Sequence, residues 1–169
     1  MTCLDLEMRA IGASLEALPA RSAGRWLAVI EATQGTWHKL KYKAEWHAFV
    51  LSGALPVGLA FPYDFGFVPS TLGDDGDPLD VLVLADEPIP PSTVVPCRLL
   101  GVIEAEQRDP GSRGAKRNDR IIAVADPAHR YRECASLRDL AGNVLGEIGR
   151  AAVFARHQSP RGRLVGGQG

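Results

Sequence analysis

The chain is short of cysteine. Its 169 residues include three, Cys3, Cys97 and Cys134, odd in number and far apart. That spacing supports neither a disulfide framework nor a thiolate zinc site, and it fits a reducing compartment. An excess of one charge is also lacking: 19 basic and 20 acidic side chains leave a net charge of −1. Such a balance excludes a general attraction to nucleic acid or to an anionic membrane. No apolar run is long enough to span a bilayer. Asp5 and Glu7 sit in the N-terminal stretch, so no secretory signal is expected there. The expected location is the cytoplasm. No internal repeat is visible. What remains is ordinary for one globular domain with a core of its own: 46% hydrophobic and 23% charged residues.

One stretch stands out, Asp74-Asp75-Gly76-Asp77-Pro78-Leu79-Asp80-Val81-Leu82-Val83. Gly76 and Pro78 prevent a helix, so the acidic part is a tight turn. Leu79 to Leu84 reads as a strand entering the core. Alternation puts Leu79, Val81 and Val83 on one face and Asp80 with Leu82 on the other. Turn and strand can then aim Asp75, Asp77 and Asp80 at one point. Carboxylates so close repel unless a cation lies between them. Hard oxygen donors without His or Cys favour Mg²⁺, Mn²⁺ or Ca²⁺ over zinc. A solvated acidic turn is the common alternative for such a motif. A structural calcium turn fits less well, because no bidentate glutamate follows at the required spacing.

Around this stretch, residues 4–18 show helical spacing closed by Pro19, followed by a linker over residues 20–24. That helix is expected to pack on its own domain. Strands are expected over Trp26–Glu31, Trp37–Lys43, Trp46–Leu51, Pro56–Phe61, Val94–Glu104 and Ile121–Val124, with Ser52-Gly53 as a turn. In the second of these, Lys39, Lys41 and Lys43 share one face. Lysines there either block edge pairing or receive a polyanion. Residues 107–115 read as a mobile loop. Ser136 and Asp139 suggest a capping box, with a helix running from there to about Arg156. Its glycines 142, 146 and 149 suggest close packing on a sheet, and residues 159–169 a disordered tail. Many short strands with turns of Gly and Pro, and helices only near the ends, indicate a small barrel.

Asp75-Gly76-Asp77-Pro78-Leu79-Asp80-Val81 resembles the signature of the soluble family I inorganic pyrophosphatases. Phe61-Pro62-Tyr63-Asp64-Phe65-Gly66-Phe67, Thr71-Leu72, Leu40-Lys41-Tyr42, Cys97-Arg98 and Gly101-Val102 fit the same family in the same order. The resemblance spans roughly Trp26 to Phe154. It implies a mainly β fold, a five-stranded, OB-like closed barrel flanked by helices, over residues 25–158. It implies a homo-oligomer and Mg²⁺- or Mn²⁺-dependent hydrolysis of pyrophosphate. Carried over by position, Asp75 and Asp80 match metal ligands, and Asp77 the carboxylate that takes a proton from the metal-bound water. Glu31 matches an active-site acid, and Lys41 a phosphate-binding lysine. Arg120 stands where the family has a lysine.

The chain also departs from that pattern. Lys43 falls at an active-site glutamate, Phe65 at a tyrosine, and Gln107 and Asn118 at metal-ligand aspartates. A phosphate-binding arginine is expected near Gly53, but none lies between Arg25 and Arg98. Arg156-His157-Gln158 replaces a Tyr-Lys pair. Glu106 or Asp109 could stand in for the carboxylate missing at Gln107. Asn118 is expected at the remaining metal position, with Asp119 facing away. Two functions fit: a slow Mg²⁺-dependent pyrophosphatase, or a protein of that fold that binds a phosphorylated ligand or a partner subunit without turnover.

Overall fold

The computed structural model describes residues 14–74, 76–104, 106–107, 116–117 and 119–154. The expected N-terminal helix up to residue 13, Asp75, Asn118, nearly all of the 107–115 loop and the expected tail lie outside the described residues.

Runs of aliphatic and β-branched residues build the strands. β1 (Arg21–Ser22) turns through Ala23 and Gly24, both at positive φ, into β2 (Arg25–Ala32). β3 (His38–Lys43) and β4 (Ala48–Ala54) form a separate two-stranded hairpin. β5 (Asp64–Phe67), β6 (Asp80–Leu84), β7 (Val94–Ile103) and β10 (Arg120–Ala125) complete the main sheet. β8 (Glu106–Gln107) pairs antiparallel with β9 (Lys116–Arg117). The six-stranded main sheet runs β1-β2-β5-β6-β10-β7, and β7 pairs back onto β2, so its last five strands close on themselves. They therefore form a closed, five-stranded barrel. Its pairings are antiparallel except for β6 with β10. Closure pairs both sides of the ring, and β1 extends from β2 outside it.

The core runs through both faces of β6 and β10. Val81, Leu82, Val83 and Leu84 are all buried, as are Ile121 to Val124. The alternation read for β6 survives only at its start, where Asp80 keeps access to solvent. The outer layer is α1 (Gly142–Phe154), which buries Ile148 and packs Val144 against the core. Tyr63 Oη donates to Glu147 at 2.6 Å and ties α1 to the chain just before β5. Gly66 is required where β5 crosses β2, because a Cβ there would lie 1.9 Å from the Val29 carbonyl oxygen.

Several expected elements are corrected. Pro56–Phe61 is a turn and loop, not a strand; Pro56 and the positive φ of Gly58 favour the turn, and the paired strand is β5. Ser52 and Gly53 lie inside β4, and the hairpin turn is instead a single helical turn at Ala44–Trp46 closed by left-handed His47. The helix does not start at Ser136. Its capping box closes one 3₁₀ turn, Leu137–Asp139, after which Leu140 is extended and α1 begins at Gly142. Gly142 and Gly149 meet no close neighbour, so close packing does not account for them. At the N-terminal side, Leu15 and Leu18 pack against Val29, Tyr42 and Phe67.

Candidate active site

β2 has an irregular register against β5: Ile30 faces Gly66 and Ala32 faces Phe65, so Glu31 is the extra residue of a bulge. A bulge re-aims a side chain out of the regular alternation. The Glu31 carboxylate turns toward the β3–β4 hairpin and accepts the backbone N–H of Tyr42 at 2.8 Å. Burial, first, pushes its pKa up to about 7; the negative charges of Asp80 and Asp77 add to this, and the Tyr42 hydrogen bond and the Lys41 charge oppose it.

The acidic turn before β6 is built locally. Gly73 N–H donates to the Asp77 carbonyl at 2.8 Å, and Gly76 takes a positive φ of 88°. Thr71 Oγ1 accepts the Leu79 N–H at 2.9 Å and so fixes the chain entering β6. From this frame Asp77 meets Lys41 Nζ at 2.6 Å, and Asp80, at the first position of β6, meets Arg120 Nη2 at 3.3 Å. Arg120, at the first position of β10, is buried, with its guanidinium 5.9 Å from the centre of the Phe65 ring. Phe65 in turn stacks on Phe61. Lys39 is half-buried on β3. Burial, then the like charge of Arg120, lower its pKa, while Asp80 opposes them.

Of the seven expected site residues, Glu31, Lys41, Asp77, Asp80 and Arg120 come into one electrostatic neighbourhood. Asp75 and Asn118 lie outside the described residues. Lys39 was not singled out from the sequence, although its phase with Lys41 was visible. Phe65 stands at a family tyrosine and so lacks a hydroxyl; its contact with Arg120 has no signal in the sequence. The bulge at Glu31 leaves no sequence signal either.

Three acidic and three basic groups thus face one another with nearly balanced charge. Opposed carboxylates and cations on a closed barrel can hold a metal cation with one set and an anion with the other. Residues 28–156 match the family model described as inorganic pyrophosphatase. An inorganic pyrophosphatase of Nostoc is 40% identical over 120 residues, covering 71% of this chain and 68% of the relative. One of Synechocystis is 36% identical over 135 residues, covering 79% and 76%. The crystal structure of an inorganic pyrophosphatase from Thermus thermophilus superposes with a TM-score of 0.72 at 31% identity, covering 82% of this chain and 77% of that one. The chain belongs to the inorganic pyrophosphatase family.

Proposed function

We propose that the chain hydrolyses inorganic pyrophosphate to two phosphates with Mg²⁺, for which Mn²⁺ can substitute. The observation that carries this reading is the convergence of Glu31, Asp77 and Asp80 with Lys41 and Arg120. The donors suit such a cation: Asp80, with Asp75 and Asn118 as the further expected ligands, offers hard oxygens. Among the described residues no three His, Cys, Asp or Glu form a ready metal cluster. Asp80, with Asp75 and Asn118, would hold the cation, and Asp77 would stay beside it as the proton acceptor; Asp80 would then exchange its pair with Arg120 for the metal. The Lys41–Asp77 pair is about half exposed on both sides, and such pairs are worth at most about 1 kcal/mol, so it exchanges readily.

Bound there, Mg²⁺ lowers the pKa of water and neutralises phosphate oxygens. The chain's own groups do the rest. Lys41 and Arg120, released from their carboxylates, bind the oxygens of the two phosphoryl groups. Asp77 takes the proton of the attacking water. Glu31 has one oxygen held by the Tyr42 N–H, and burial, which raises its pKa to about 7, suits it to exchange a proton near neutral pH. Phe65 offers a ring where a hydroxyl could have met developing charge, so turnover is expected at least about 10²-fold below that of a complete site. The same feature favours a second reading, in which the site binds a phosphorylated ligand without turnover. No described helix is long and apolar enough to cross a membrane. The chain is expected to act in the cytoplasm and to assemble with copies of itself, for which exposed Trp37, Trp46, Leu51 and Leu72 offer apolar surface.

The test is phosphate release by Asp77→Asn beside the unmodified chain. Loss of the proton acceptor should lower kcat by about 10²- to 10⁴-fold. Equal rates for the two proteins would remove Asp77 from the reaction.

A further inference from the structure

We propose that Lys39 is a further substrate-binding residue, holding a phosphoryl group of pyrophosphate beside Arg120. This rests on the pyrophosphatase reading above. The geometry begins with β3. The register shift against β4 falls between Lys39 and Leu40, and there Lys39 faces Gly53 while Leu40 faces Leu51. The extra residue is therefore Ser52 of β4, and the alternation of β3 is unbroken. Lys39 and Lys41 share one face of the strand. The Lys41 ammonium reaches Asp77, so this face is turned toward the carboxylates. One step along it, Lys39 feels the charges of Arg120 and Asp80. The two strand positions thus lie on one face, Lys41 paired with Asp77 and Lys39 in the field of the Asp80–Arg120 pair.

A solvated edge lysine would point away from other cations. Lys39 is instead half-buried, close enough to Arg120 for the two to repel. Asp80 is the anion that faces both, and it sits within hydrogen-bonding range of Arg120. With Asp80 engaged by a divalent cation, Lys39 and Arg120 would present two neighbouring positive charges, which suit the anionic oxygens of a phosphoryl group. Room exists for it. The cross-strand partner Gly53 has no side chain, and a Cβ placed there would meet nothing within 4 Å. Directly paired residues project to the same face. Lys39 therefore delivers a positive charge to the face that a side chain at position 53 would have served, in a stretch of chain that holds no arginine.

The experiment compares the unmodified chain with Lys39→Met and Lys39→Arg at saturating Mg²⁺. It measures KM and kcat for pyrophosphate and, by calorimetry, the Kd of imidodiphosphate, a pyrophosphate analogue whose bridging nitrogen resists hydrolysis. Circular dichroism and melting temperature establish that each variant is folded. Loss of one charge-assisted contact predicts a rise of about tenfold in both KM and Kd for Lys39→Met. kcat should change less, and Lys39→Arg should recover most of the binding. A folded Lys39→Met protein with unchanged KM and Kd overturns the assignment while leaving pyrophosphate hydrolysis intact. If the unmodified chain binds imidodiphosphate without turning over pyrophosphate, the activity falls and the Kd comparison alone decides Lys39. Neither binding nor turnover by the unmodified chain overturns both.

Discussion

Replacing Glu31 by Gln should make the metal-free protein more stable at alkaline pH and change little in acid. The glutamate sits at a bulge, and burial together with the Asp80 and Asp77 charges raises its pKa from 4.5 to about 7. The raised value means that the native state holds the neutral form more firmly than the unfolded chain does. Below the unfolded pKa both states are protonated and nothing is lost. Between about pH 4.5 and 7 the unfolded chain ionises this carboxyl while the native state keeps it protonated, so stability falls across that window and levels off above it. The displacement amounts to roughly 3 kcal/mol at pH well above both values, and roughly 2 to 3 kcal/mol between about pH 5 and pH 8.5. Glutamine keeps the oxygen that accepts the Tyr42 N–H, so that hydrogen bond is held constant. Urea unfolding in a chelating buffer at the two pH values, followed by tryptophan fluorescence, measures the difference. Glu31→Gln should gain on the parent protein at the higher pH by roughly that amount. An offset that is the same at both pH values would refute the burial and charge argument for Glu31.

Gly66→Ala should destabilise the barrel by about 3 kcal/mol or more, because its Cβ would meet backbone at 1.9 Å and neither strand of a closed sheet can withdraw. A chemical-denaturation midpoint equal to that of the parent would contradict the close approach of β2 and β5. Asn118→Asp adds a charge at an expected metal position, where about 4 Å and an effective dielectric near 20 correspond to roughly 4 kcal/mol per unit of cation charge before desolvation. The Mg²⁺ concentration for half-maximal activity should therefore fall; an unchanged value would count against that position as a ligand.

Much of the barrel was legible because its strands are short apolar runs bounded by turn residues. Leu79–Leu84 and Ile121–Val124 became the parallel pair β6 and β10, nearly to the residue. Pro56–Phe61 has a similar apolar composition and is no strand, since composition does not register what a segment pairs with. The helix after Ser136 was misjudged at its start because a capping box closes a single 3₁₀ turn as readily as a longer helix. In the candidate site, the approach of Asp77 and Asp80 to basic groups was expected from the motif and strand phase, and the choice of Lys41 from the family resemblance. The neighbourhood of Glu31 depends on a bulge that only the pairing of β2 with β5 creates. Lys39 and Arg120 come from β3 and β10, more than 80 positions apart, and only barrel closure with the hairpin folded against it makes them neighbours.

Phosphate release from pyrophosphate by the unmodified chain, followed through a Mg²⁺ titration and its reversal with chelator, tests the central claim most directly. Release should rise with Mg²⁺, stop on chelation and saturate at a turnover at least about 10²-fold below that of a family member with a complete site. No release at saturating Mg²⁺, or release that chelation leaves unchanged, would contradict a metal-assisted pyrophosphatase. Turnover equal to the complete site would contradict the attribution of slow catalysis to Phe65 and the other substituted positions.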